Sequence, residues 1–225
     1  MEWEIHLNVD AVLRNQGGDP VQLRDLNPRL VSIAEQAISE GSNLIHPSVH
    51  QQRRKVRDFK HQKLQLDDGV SISGPLISRH MSAADEIVAT LLTIGHELET
   101  HAAKVMKRFA SLGIALDAVG STAIEALSHT ICYTVEKQAH KANQQTTIPL
   151  NPGMLGWPVD QGQAQLFALW GDEPLDIQLT DSFMMVPSKS LSMLIGVGSQ
   201  VRQDGTPCDY CSEHMTCRYR KQNDG

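Results

Sequence analysis

The sequence lacks the features of several large protein classes. No apolar run in its 225 residues approaches the roughly 20 needed to span a bilayer, which argues against a membrane protein. The stretch from Met1 to Asp10 carries Glu2, Glu4 and Asp10, without the basic start and apolar block of a secretory signal. Excess positive charge is missing too. The formal net charge is −6, and the one basic cluster, Arg53, Arg54, Lys55 and Arg57, is short and interrupted by Val56, with Phe59 close behind. Such a cluster reads as the solvated side of a strand or turn, so no nucleic-acid partner is expected. Cysteine is scarce through the body of the chain, and three of the four lie between Cys208 and Cys217. An oxidised secreted framework distributes its cysteines, whereas clustering suits a metal site in a reducing compartment. The expectation is a cytoplasmic protein. With 40% hydrophobic and 20% charged residues it has an ordinary globular balance, enough for one substantial domain or one with a small appendage.

Periodicity predicts the elements. A short helix is expected over Asp10 to Gly17, stopped by Gly17 and Gly18. A second runs from Pro28 to Glu40, where Leu30, Ile33, Ala34, Ala37 and Ile38 recur at helical spacing and Gly41 stops it. Alternation over Lys55 to Ile77, around Asp67-Asp68-Gly69, suggests a hairpin. Glu86 to Gly95 is an apolar run whose length fits a buried strand, with a helix still open on pattern alone. Helices follow over Glu97 to Ser111 and Ile114 to Lys141, the second rich in small residues from Ala115 to Ala126. Asn143 to Gly156 reads as a loop, Asp160 to Trp170 as a helix, and Gln178 to Val186 and Ser190 to Gly198 as strands. Without a regular βαβ alternation, the fold class is α+β with a mostly antiparallel twisted sheet and flanking helices. One domain is expected over residues 1–200, its first 80 residues helical with the hairpin. A Cys-rich tail covers residues 201–225.

In that tail Cys208, Cys211, His214 and Cys217 are spaced three apart. Two thiolates of a Cys-x-x-Cys turn reach the same ion, so an iron–sulfur cluster or zinc is expected, with His214 or Cys132 as the fourth ligand. His96 and His101 have poor spacing for a shared metal. His129, four residues past Glu125, suits a helix-stabilising pair.

Three blocks stand out over residues 80–200: TIGHELE (Thr93 to Glu99) followed by LDAVGSTAIEAL (Leu116 to Leu127), NPGMLGWP (Asn151 to Pro158), and LTDSFMMVPSKSLSMLIGVG (Leu179 to Gly198). In this order they resemble stand-alone relatives of the activation domain of cobalamin-dependent methionine synthase, some of which end in a similar cysteine tail. The resemblance implies an accessory protein for reductive activation of a corrinoid protein or corrinoid methyltransferase. Such a protein works with an electron donor on the partner's cobalamin, with S-adenosylmethionine as methyl donor. That electron-consuming chemistry favours an iron–sulfur cluster over zinc in the tail.

The same resemblance implies a ligand groove made by Glu125, the loop residues Asn151, Pro152, Gly153 and Met154, and the turn Ser188, Lys189 and Ser190. Glu125 shares a helix face with Ser121 and Cys132, which would floor the groove. Met184 and Met185 read more simply as packing residues. One departure weakens the match: the family's arginine and tyrosine positions hold Pro149 and Met154. Losing a charge-assisted bond of roughly 1.5–3 kcal/mol lowers affinity about ten- to a hundredfold unless another cation, such as Lys189, substitutes. Two alternatives stay open: a non-catalytic corrinoid- or metal-binding module that has lost the S-adenosylmethionine site, or a small iron–sulfur electron-transfer protein.

Overall fold

The computed structural model describes Trp3, residues 5–212 and Met215. Three helices lead: α1 (Val9–Asn15), α2 (Pro20–Leu26) and α3 (Pro28–Gly41). Strands β1 (Ser48–Lys60), β2 (Lys63–Leu66) and β3 (Ser71–Ser73) follow, then α4 (Pro75–Met81), β4 (Glu86–Thr93), α5 (Glu97–Met106) and α6 (Ala110–Lys141). The chain continues through β5 (Gln145–Thr146), α7 (Val159–Phe167), β6 (Gln178–Leu179), β7 (Met185–Val186) and β8 (Ser190–Gly198) to a 3-10 turn at Pro207–Tyr210. Six strands form one antiparallel sheet in the order β3-β2-β1-β4-β8-β5. The fold is α+β, as the alternation of elements implied.

The central strands are mostly apolar because both faces of the sheet are covered, with Thr90 and Ser192 among their few buried polar residues. Val88, Leu92 and Ile94 join one core with α1, α3, α5 and α6, while Ile87, Ala89 and Leu91 join a second with α4, α7 and Trp157. In β8, Met193, Ile195 and Val197 face the first core and Leu194 the second. Helix α6 is long and apolar enough by composition to cross a membrane. Its Leu116, Val119, Ala123, Leu127 and Ile131 are instead buried in the first core, which accounts for its composition. Small residues let its neighbours close in. A Cβ on Gly113 would stand 2.6 Å from the Cα of Met106, at the end of α5.

Several expectations need correcting. Helix α2 was not anticipated, although Asp19 caps it, accepting from the Val21 and Gln22 N–H groups, with Pro20 at the first helical position. The Asp67–Gly69 turn does join β2 to β3, but the larger hairpin reverses at His61 and Gln62, both at positive φ, and β1 begins back at Ser48. The end of that stretch is α4 rather than strand, because Pro75 opens a helix after Gly74. Gln178 to Val186 is two short paired strands around Phe183 (φ 61°), not one. The basic cluster lies on β1, where Arg53 pairs with Glu86 at 2.6 Å and Arg54 with Asp68 at 2.9 Å.

Candidate functional site

The site is built on the middle of α6. Its turns at Glu125, Ser128, Cys132 and Glu136 present one face to a cleft of ≈ 440 Å³, closed opposite by Pro149, Asn151, Leu191 and Pro207. A wider cleft of ≈ 860 Å³ lies on the other side, between α6 and the α1–α2 corner, with Arg14, Asn15 and Cys208 in its wall. Glu125 and His129 line both, so the two form one groove astride this turn of α6, with Pro207 and Cys208 across it. The sizes fall in the range of small-molecule sites.

Each wall has a local cause. Asn15, the last residue of α1, donates through Nδ2 to Glu125 Oε2 at 3.1 Å and to Thr122 Oγ1 at 3.0 Å. The carboxylate is thereby oriented while Glu125 stays exposed. Asn151 donates through Nδ2 to the Ser192 carbonyl at 2.8 Å, which ties the loop to β8. The loop is anchored from below by Trp157, fully buried, whose Nε1 donates to Gln165 Oε1 at 3.1 Å. Gly153 and Gly156 take left-handed φ of 99° and 89°, and the Gly153 N–H donates to the Trp157 carbonyl at 2.8 Å.

The remaining residues singled out from sequence divide. Pro152 packs so closely on Gly162 that a Cβ there would stand 2.8 Å from its own, and Met154 packs against the second core. Both support the loop that presents Asn151. Ser188 donates through its N–H and hydroxyl to Glu99 on α5, and the Ser190 hydroxyl donates to the Pro187 carbonyl at 2.7 Å. Lys189 is held at 2.9 Å by Asp117 and at 2.9 Å by Ser121, one turn before Glu125. Its charge is therefore engaged by α6.

Residues 201–211 dock on the body. Val201 is buried, Arg79 donates to Asp204 at 2.8 Å, and the Leu155 N–H donates to the Tyr210 carbonyl at 2.8 Å. The Tyr210 ring stands edge-on to His80 with centroids 4.8 Å apart, and the Arg79 guanidinium lies 5.2 Å from its centre. His80 is buried with neither ring nitrogen hydrogen-bonded, and this burial pushes its pKa down. This docking places Pro207 and Cys208 at the groove.

Among the described residues, Cys132 does not join Cys208 and Cys211. Cys132 faces the narrow cleft with its Sγ 3.7 Å from Met193 Sδ, and Cys208 faces the wide one. Burial raises the Cys132 pKa, against the thiolate form a metal needs. Among the described residues no three His, Cys, Asp or Glu side chains come together to hold a metal, and Cys132 does not complete a site with Cys208 and Cys211. His214 and Cys217 lie outside the described residues.

At the level of sequence the chain matches no protein-family profile and no curated protein. Structure gives a clear likeness. The crystal structure of the MetH reactivation domain bound to AdoHcy superposes with a TM-score of 0.62, over 98% of this chain and 85% of that one, at 16% identity. This chain has the reactivation-domain fold. The three sequence blocks pointed to that fold, and on it Glu125 and Asn151 meet at one groove although 26 positions (151 − 125) separate them. Pro149, which stands where the resemblance calls for arginine, also lines this groove.

Sequence reading missed the α1–α2 wall and the part played by residues 201–210. Asn15 gave no signal, since its role depends on contacts more than 100 residues away.

Proposed function

We propose that this chain binds an S-adenosylmethionine-type ligand in the groove at Glu125 and acts as an accessory protein in the reductive activation of a cytoplasmic corrinoid protein. One observation carries the reading: on a reactivation-domain fold, the Glu125 carboxylate and the Asn151 loop line one cleft of small-molecule size. The residues fit part of such a ligand. Glu125 is oriented by Asn15 to accept from an ammonium or a ribose diol, and Asn151 fixes the opposite wall. Bound ligand supplies a methyl group. The chain orients it and keeps the groove open toward a flat macrocycle on a partner, while a separate donor supplies the electron.

Mixing the protein with a corrinoid methyltransferase in its cob(II) state, a one-electron donor and S-adenosylmethionine tests this. The visible spectrum should convert to the methyl form faster with the protein than without it. An unchanged rate overturns the accessory role.

A second reading rests on Pro149. With no cation at that position, the fold serves as a corrinoid- or metal-binding module that does not use S-adenosylmethionine. The metal assignment there depends on Cys208 and Cys211 with His214 and Cys217, holding zinc or an iron–sulfur cluster.

A further inference from the structure

The wide cleft carries charges of both signs, and their partners are unequal. Asp10 lies four residues before Arg14 on α1, the spacing at which the two would pair. It is instead ion-paired with Arg24 of α2. Asp19 Oδ1 accepts from the Val21 and Gln22 N–H groups at 2.8 and 3.2 Å, capping α2. Glu125 accepts from Asn15. The Arg14 guanidinium is left with no hydrogen-bond or ion-pair partner among the described residues, although it lines the cleft with Glu125 and His129.

Its placement is nonetheless fixed. Arg14 precedes Asn15, whose side chain is bonded to Thr122 and Glu125, so the backbone bearing the guanidinium is tied to the helix bearing the carboxylate. A guanidinium from α1 and a carboxylate from α6 lining one cleft, unpaired with each other, suit a ligand that presents both charges on one carbon. An α-amino acid head does so. A fork of guanidinium donors matches its carboxylate, and Glu125 matches its ammonium.

Resting on the reading of the groove proposed above, we infer that Arg14, which lines the cleft together with His129, is the carboxylate subsite. It supplies from α1 a cation that Pro149 does not. The ligand class follows: a nucleoside carrying an intact amino-acid head, in preference to the same nucleoside without the carboxylate.

Calorimetric titration of the full chain with S-adenosylmethionine and with its decarboxylated form tests this. The wild type should bind the carboxylate form about ten- to a hundredfold more tightly, the factor expected of one charge-assisted pair. Arg14→Ala should erase that preference while leaving decarboxylated ligand nearly unaffected, and Arg14→Lys should restore part of it. Arg14 is exposed, so these variants keep the fold. If Arg14→Ala retains the wild-type preference, the subsite is wrong and the groove reading stands. Wild-type protein that binds neither form overturns the groove reading and the subsite together.

Discussion

Asn15 closes α1 with hydrogen bonds to Thr122 and Glu125, residues three apart on one face of α6. A single amide thus joins the N-terminal helices to the floor of the groove and aims the carboxylate that the proposed function uses.

Replacing it should show both roles. Asn15→Ala removes two hydrogen bonds, one of them to the buried Thr122, at a cost of about 1–2 kcal/mol. The melting temperature should fall by several degrees, and S-adenosylhomocysteine affinity should drop as Glu125 loses its orientation. An unchanged melting curve would show that this contact does not hold α1 to α6.

Packing between α5 and α6 gives a case where two effects oppose. Gly113 sits in the first turn of α6, and alanine there gains about 1 kcal/mol of helix propensity. Its Cβ would meet the Met106 Cα at 2.6 Å and N at 2.8 Å, backbone atoms that cannot rotate aside. Overpacking costs about 1–3 kcal/mol, so Gly113→Ala should destabilise the fold in chemical denaturation. A rise in stability would mean that α5 can move away freely.

His80 makes docking of residues 201–210 depend on pH. Burial lowers its pKa in the docked state, Arg79 adds in the same direction and Asp204 opposes. Undocked, the ring takes up a proton near its ordinary value of about 6.5. Docking is therefore fully favoured above that value and weakens as pH falls from it toward the lowered pKa. Tryptic cleavage at Arg202 should accelerate as the pH falls below about 6.5, relative to cleavage of an unstructured peptide. His80→Leu should flatten this dependence, and an equally steep profile in that variant would assign it to another group.

The tail makes a separate prediction. If Cys208 and Cys211 hold a metal with His214 and Cys217, protein purified anaerobically should carry either zinc at about one per chain or a visible absorption that bleaches on reduction. Freely titratable thiols in metal-free anaerobic protein, with stability unchanged in Cys211→Ser, would remove the metal from the account.

Much of the fold was legible where burial alone writes the pattern. β4 and β8 are buried on both faces, so they read as mostly apolar runs, and α6 reads as a long helix because its stripe repeats through the core. The misses share a physical reason. β1 carries a polar run, Gln51 to Lys55, because it borders solvent, and its identity comes from pairing with β4 rather than from alternation. α2 and α4 are seven residues each, too short for periodicity, and only Asp19-Pro20 and Gly74-Pro75 announced them. Of the residues lining the groove, Glu125 and Asn151 stood out in the sequence as motif residues. Arg14 was not, since its availability depends on Asp10 being taken by Arg24 and on Asn15 reaching across 110 residues to Glu125.

The central claim is that the groove at Glu125 binds an S-adenosyl ligand, and calorimetric titration of the wild type and of Glu125→Gln with S-adenosylhomocysteine tests it most directly. Glutamine keeps the shape and can still accept from Asn15, while losing the charge. The account predicts saturable one-to-one binding to the wild type, about tenfold weaker in the variant, with equal melting temperatures because Glu125 is exposed. No binding to the wild type, or equal binding to both proteins, would contradict it.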